Sequence, residues 1–253
     1  MAARYETALI RLIIIALLFG AWEFAPRADL VNARLLPPAS EVFTVFFGLI
    51  QDPGFHGHLA TTLQQTLTAF LIAVPVGALL GILIAENRFA GEVFKPLVFF
   101  VFSIPKSIFL PMFILAFGIS FWQKVAFGVF STIFIVMMTA FAAVASVRSD
   151  HIRVARSYGA NLRQIIARVY LPSMTPVLLE AVRLAMIFNF TGILLAEMYA
   201  SRAGVGNLIG TWGRGFQIPQ IMAGIVTVAG LSILFNELVR WFERRCEHWR
   251  GDR

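Results

Sequence analysis

The side chains able to do chemistry are few and scattered. Cys246 is the only cysteine, so no intrachain disulfide and no cysteine metal cluster can form. His56 and His58 make an H-x-H pair, which can begin a metal site, yet no third ligand stands out in the sequence. Nothing resembles a nucleophile with its base, so a catalyst is not expected. The pattern G-x-x-x-x-G-K-[ST] is absent, so the chain does not hold ATP in a P-loop. "AGVGNLIG" carries glycines but fails the dinucleotide pattern and has no βαβ context. What remains is a set of ionisable and polar residues inside apolar runs: Lys106, Glu180, Arg183, Asn189, Thr191 and Glu197. An ionisable group at membrane depth is a functional candidate by default, because its desolvation must be offset by a partner or a solute. Duller roles stay open. Lys106 can snorkel to an interface, Glu180 and Arg183 lie three apart and can pair, and Asn189 and Thr191 suit interhelical hydrogen bonds.

The elements that must position these groups are membrane helices. The 253 residues are 58% hydrophobic and 14% charged, with a mean hydropathy of +0.78, where a soluble domain carries about 25% charged residues. Several apolar runs reach the ~20 residues needed to cross a bilayer. The first run could be a cleaved signal peptide, but Trp22, Glu23 and Phe24 stand where small residues belong, so it reads as a retained span. Lipid offers no hydrogen bonds to backbone, which makes helices obligatory. The chain therefore reads as one all-α integral membrane domain, 1–253, with about six spans near 8–25, 59–86, 94–118, 123–147, 173–199 and 218–240.

Positive charge chooses the orientation. With a cytoplasmic N-terminus, fourteen of the 21 Lys and Arg residues fall in inside segments, and five (Arg27, Arg34, Lys124, Arg202 and Arg214) fall outside. Both termini are therefore expected in the cytoplasm. The net charge of +7 reads as contact with anionic lipid rather than nucleic acid.

Three local features follow. "LLPPASEVFTVFFGLI" reads as a short amphipathic helix at the outer interface, capped by Ser40, with Val42, Phe43, Phe46, Phe47 and Ile50 as its apolar positions. Ala73, Gly77, Gly81 and Ala85 repeat every fourth position and form a smooth stripe for a neighbouring helix. Pro105 and Pro111 are expected to break the third span where it lines a cavity or faces protein.

The loop 148–172 is the unusual one. A short helix from about Asp150 to Ser157 can end at Gly159 in a left-handed cap. Asn161 and Gln164 have the spacing of a capping box for a second helix. In that helix Leu162, Ile165, Ile166 and Val169 fall on one side, with Arg163 and Arg168 on the other, and Pro172 forbids continuation in the same register and starts the next span. A loop that only joined two spans would not need a capped corner. The bland reading is an interfacial helix on lipid; the functional one is a docking element for a soluble partner.

This loop resembles the cytoplasmic motif of ABC importer permeases, E-A-A, three residues, G, nine residues, I-x-L-P. Ala155, Gly159, Leu171 and Pro172 match, Val169 takes the isoleucine place, and Arg153 and Val154 replace the glutamate and first alanine. "LPPASEVF", "SIPKSIFLPMFILAFGIS", "LLAEMYASRAGVGNLI" and "FERRCEHWR" resemble further segments of the nitrate, sulfonate and taurine branch. The resemblance implies a type I ABC importer permease fold in a bacterial inner membrane. It implies a pair of permease copies, two cytoplasmic ATPase subunits that bind the ATP and Mg, and an extracytoplasmic substrate-binding protein. It makes Ala155, Ser157, Gly159, Ala160, Val169 and Pro172 the ATPase-coupling residues. The polar and helix-breaking positions inside the spans, Pro105, Lys106, Arg183, Asn189 and Glu197, are the pathway candidates, for a small anion or polar organic solute. Two other classes remain open: an ion-coupled secondary transporter, which would lean on Glu180 and Glu197, and a membrane scaffold without transport.

Overall fold

A computed structural model describes residues 2–147 and 149–247. Arg148 and the tail beyond Glu247, including the end of the "FERRCEHWR" segment, lie outside the described residues, as do the side chains of Leu162 and Pro172. Every regular element among the described residues is helical. Helices α1 (Ala2–Arg27), α3 (Pro53–Glu86), α6 (Phe121–Ser146), α9 (Leu171–Tyr199) and α11 (Ile218–Glu247) are long and apolar enough to cross a membrane. A sixth span is formed if α4 (Arg88–Ser103) and α5 (Leu110–Phe117) count as one broken crossing, bent by 87°.

Helix α6 is the centre of the molecule, packed along α3 on one side and α9 on the other. The stripe of small residues on α3 faces it. A Cβ on Gly81 would lie 2.6 Å from the Ala140 Cβ and 2.9 Å from the Met137 carbonyl oxygen, and one on Gly77 would lie 3.0 Å from the Ile133 carbonyl oxygen. Ala73 is fully buried in the same row. On the other side, a Cβ on Gly128 would meet Ile193 and Asn189 of α9, and one on Gly192 would meet Ser131. In lipid, where apolar side chains gain little by leaving their surroundings, such close backbone approach supplies the association through van der Waals contact.

The broken span differs from the single run at 94–118 in both start and shape. It begins at Arg88, with Asn87 accepting the Ala90 N–H at 3.0 Å as the cap. The bend falls at Ile104–Pro105 and continues through a 3₁₀ turn, Lys106–Phe109. Only Pro105 sits at the break; Pro111 lies in the first turn of α5, where a missing N–H removes no helical bond.

Two shorter helices lie at the end of the bundle where α3 begins. Helix α2 (Ala39–Gln51) is the amphipathic one, and Val42 is fully buried while Phe47 and Ile50 are exposed. Ser40 does not cap it. It lies inside the first turn, and the carboxylate of Glu23 on α1 accepts both its N–H and its hydroxyl, each at 2.9 Å. A charged acceptor from another helix satisfies the orphan donor better than the serine's own oxygen. The other short helix, α10 (Val205–Arg214), has no counterpart in the sequence reading and packs on α9, α11 and α3.

Leucine at Gly81 should lower the melting temperature of the detergent-solubilised protein by an amount corresponding to about 1–3 kcal/mol or more, since overpacking strains both helices. Leucine at Gly230 on α11, where an added Cβ meets nothing within 4 Å, should leave the melting temperature nearly unchanged.

Candidate functional site

The opposite end of the bundle carries a corner built from local sequence. Helix α7 (Ser149–Ser157) stops at Gly159, whose φ of 74° is the left-handed conformation that glycine adopts without a Cβ penalty. The Gly159 N–H donates to the Arg156 carbonyl at 2.9 Å and the Ala160 N–H to the Ala155 carbonyl at 3.1 Å, the paired bonds of a Schellman stop. Asn161 and Gln164 then cap each other: each side-chain oxygen accepts the other's backbone N–H at 2.9 Å. A single turn, α8 (Leu162–Ile165), follows. A π-helical turn over Ile166–Tyr170 shifts the register and leads into α9, which has Pro172 in its first turn, as expected.

The corner is anchored on its inner side. Ile165, Tyr170 and Met174 are buried against Ile82 of α3 and Ala140 and Ala143 of α6, with Ala155, Ala160, Ile166 and Val169 packed around them. Glu86, at the last turn of α3, binds both the Arg156 guanidinium and the Tyr170 hydroxyl. Burial, reinforced by the adjacent Glu86 carboxylate, holds the Tyr170 phenol above its ordinary range. The hydroxyl therefore stays protonated and donates. One carboxylate thus ties α7, the π-turn and α3 together. The outer side is open: Tyr158 is 89% exposed and Val154 57%, with Gly159, Ser157, Arg153, Arg163 and Arg168 exposed around them. Ser157 closes on its own helix by donating to the Arg153 carbonyl.

A second carboxylate staples the far end. Glu197 near the end of α9 is fully buried. It accepts from the Thr62 hydroxyl on α3 at 2.9 Å and from the Gly206 N–H on α10 at 2.8 Å. The same Thr62 oxygen accepts the Val205 N–H at 2.8 Å, and His58 Nδ1 accepts the Gly204 N–H at 3.1 Å. Gly204 has φ 108°, and a Cβ there would fall on the Glu197 carboxylate. Lys124, one of the five charges that the sequence places outside, is buried at 2% exposure in the first turn of α6. Between Thr62 and Glu86 run 24 residues of α3, about 36 Å at helical rise.

Between the two carboxylates a cavity of about 380 Å³ opens at the bend of the broken span, lined by Pro105, Lys106, Ser107, Ser131 and Thr191 among others. Of the five pathway candidates, the structure brings Pro105 and Lys106 to this cavity; Arg183, Asn189 and Glu197 do not line it. Asn189 is fully buried and donates to the Thr66 carbonyl of α3 at 2.7 Å. Arg183 is half-buried on α9.

The comparisons agree with this architecture. Residues 42–248 match a family described as binding-protein-dependent transport system inner membrane component. The chain belongs to this family. It is a transport permease subunit of a bacterial inner membrane, multi-pass and not itself an enzyme. It is 26% identical to the taurine transport system permease protein TauC of Escherichia coli strain K12, over 94% of this chain and 88% of that one. It is 27% identical to the permease protein SsuC of Bacillus subtilis strain 168, named for aliphatic sulfonates, over 95% and 87%. Its fold matches a chain in the crystal structure of a bacterial ABC transporter involved in import of the acidic polysaccharide alginate. The TM-score is 0.68 over 95% of both chains, at 16% identity. The fold is therefore that of an ABC importer permease.

Several residues of this permease escaped the sequence reading: Glu86, Tyr158, Tyr170 and Ser131. Tyr158 carried a local signal, a bulky aromatic beside the corner glycine. The others become visible only when helices far apart in sequence meet.

Replacing Glu197 with alanine should orphan the buried Thr62 hydroxyl and the Gly206 N–H, at about 1–3 kcal/mol for each stranded group. Melting of the purified permease should fall accordingly. A structural staple shows this loss in the absence of any solute.

Proposed function

We propose that this permease works as the membrane-spanning half of an ATP-driven importer, with the corner around Gly159 as the part that receives the stroke. The observation that carries the reading is mechanical. The corner is capped at both helices, bound to α3 through Glu86, continuous with α9, and open along its outer side. An element meant merely to rest on lipid gains nothing from being tied so firmly to two spans. A soluble ATPase that seats Tyr158 and the exposed face of α7 in a groove would move α3 and α9 as one body.

The remaining assignments follow from that. The corner and both termini lie in the cytoplasm, as the distribution of Lys and Arg favours. Ala155, Ser157, Gly159, Ala160, Val169 and Pro172 form the coupling loop; two ATPase subunits bind ATP and Mg. The permease acts as a pair of copies. In support, α1 packs chiefly on α2 and leaves most of its apolar surface uncovered by the rest of the chain. A substrate-binding protein delivers the solute at the end that carries α2 and α10. The solute is a small anion of the sulfonate or taurine kind, the class for which TauC and SsuC are named. The pathway passes the bend at Pro105 and Lys106.

Valine at Gly159 tests the coupling. An added Cβ meets nothing within 4 Å, so the substitution acts through the left-handed backbone, at a cost of roughly 1–2 kcal/mol. Tagged wild-type permease should capture its ATPase subunit from membranes. The Gly159→Val and Tyr158→Ala variants should insert normally, capture several-fold less ATPase and lose uptake in proportion. Full capture and uptake by both variants would place docking elsewhere.

A further inference from the structure

The cavity at the α4–α5 bend is charged on one side, apolar on the other, and incomplete in its hydrogen bonding. We propose that it is a halting site for a small amphiphilic oxyanion, a sulfonate-type head with a short aliphatic tail, held by Lys106 and Ser131. The proposal rests on the permease reading above and assigns a ligand chemistry to one place on the route.

Lys106 is oriented rather than neutralised. Its ammonium donates to the Phe102 carbonyl, which ends α4, and stands 4.3 Å from the Phe102 ring centroid and 6.0 Å from that of Phe134. A carbonyl and two ring faces hold an ammonium in place, but the carbonyl takes one of three N–H donors and none of these groups carries a negative charge. No acidic side chain lines the cavity. An ammonium in apolar surroundings without a counter-charge is costly, and a transported anion supplies one.

Ser131 points the same way independently. It is 4% exposed, lines the cavity, and its hydroxyl has no hydrogen-bond partner. Gly192 makes room for it: a Cβ there would stand 2.7 Å from the Ser131 Oγ. A buried hydroxyl without a partner is rare enough to need a reason, and an oxyanion oxygen is the acceptor it lacks. Ser107 on the 3₁₀ turn borders the same space. Thr191 and Ser103 are different, because their hydroxyls already donate to Ile187 and Phe99 carbonyls at 2.8 and 2.9 Å.

The rest of the wall, including Phe127, Ile187, Phe188 and Leu195, is apolar. It suits a hydrocarbon tail better than a polyhydroxylated solute. A cation would face Lys106. The depth also fits a stop on the way across. Ser131 lies ten residues into α6, about 15 Å, and Thr191 lies eight residues before the end of α9, about 12 Å.

Binding to the full-length permease in lipid nanodiscs reads the site without requiring transport. Sodium 1-butanesulfonate should raise the melting temperature saturably, and butylammonium chloride at equal ionic strength should not. Lys106→Met should weaken butanesulfonate binding about tenfold or more, Lys106→Arg should largely keep it, and Ser131→Ala should weaken it about threefold, as charged and neutral hydrogen bonds differ. If Lys106→Met does not fold, the Ser131→Ala result and the anion preference of the wild type decide. Absence of a saturable butanesulfonate shift, equal stabilisation by butylammonium, or unchanged affinity in Lys106→Met or Ser131→Ala overturns the proposal. ATPase capture does not enter this measurement, so the site and the coupling mechanism can fail separately.

Discussion

The permease depends first on how closely α6 approaches its two neighbours. Glycine at 77 and 81 on α3, at 128 on α6 and at 192 on α9 leaves no side chain between the helices at those crossings. Lipid supplies little hydrophobic drive for helix association, so dispersion contact of this kind, with the hydrogen bonds it permits, holds the bundle. Rigid contact also means that the three helices respond to a push together, because a close-packed interface has few intermediate arrangements.

The two carboxylates, Glu197 fully buried and Glu86 half-buried, make sense on that frame. Glu86 and Glu197 sit toward opposite ends of the α3–α9 pair, and each gathers an element lying outside the spans. Glu86 holds the corner through Arg156 and Tyr170, and Glu197 holds the α9–α10 connection through Thr62 and Gly206. Both hydrogen-bond networks keep a peripheral segment in register with the spans it adjoins. Between them the chain leaves one crossing broken, at Pro105, where the interrupted backbone borders a cavity. The structure is stiff at its ends and open in its middle, which suits alternating access driven from one side.

The legible parts of this fold were those encoded within a few residues. The Schellman stop at Gly159 and the Asn161–Gln164 capping box were readable because their partners lie three to five residues away. The small-residue stripe was readable because helical periodicity alone puts 73, 77, 81 and 85 on one face. Errors arose where a distant residue intervened. Ser40 was displaced as a cap by Glu23, seventeen positions upstream. The burial of Lys124 depends on helices brought together from far along the chain, which no local pattern shows. The clamp at Glu86 spans separations of 70 and 84 residues, beyond any local pattern. Half of the cavity was visible in Lys106 and Pro105; Ser131 was not, because only the contact with Gly192 makes its isolation apparent.

The central claim is that the corner and spans α3 and α9 move as one body. Paired spin labels at Tyr158→Cys on the corner and Leu184→Cys on α9, in a Cys246→Ser background, report it by electron–electron distance measurement in the assembled transporter. The account predicts that the distance within one chain keeps its value when ATP binds, within the width of its distribution, while the Tyr158-to-Tyr158 distance between the two copies changes. A shift within the chain as large as the shift between copies would show a hinged corner and contradict it.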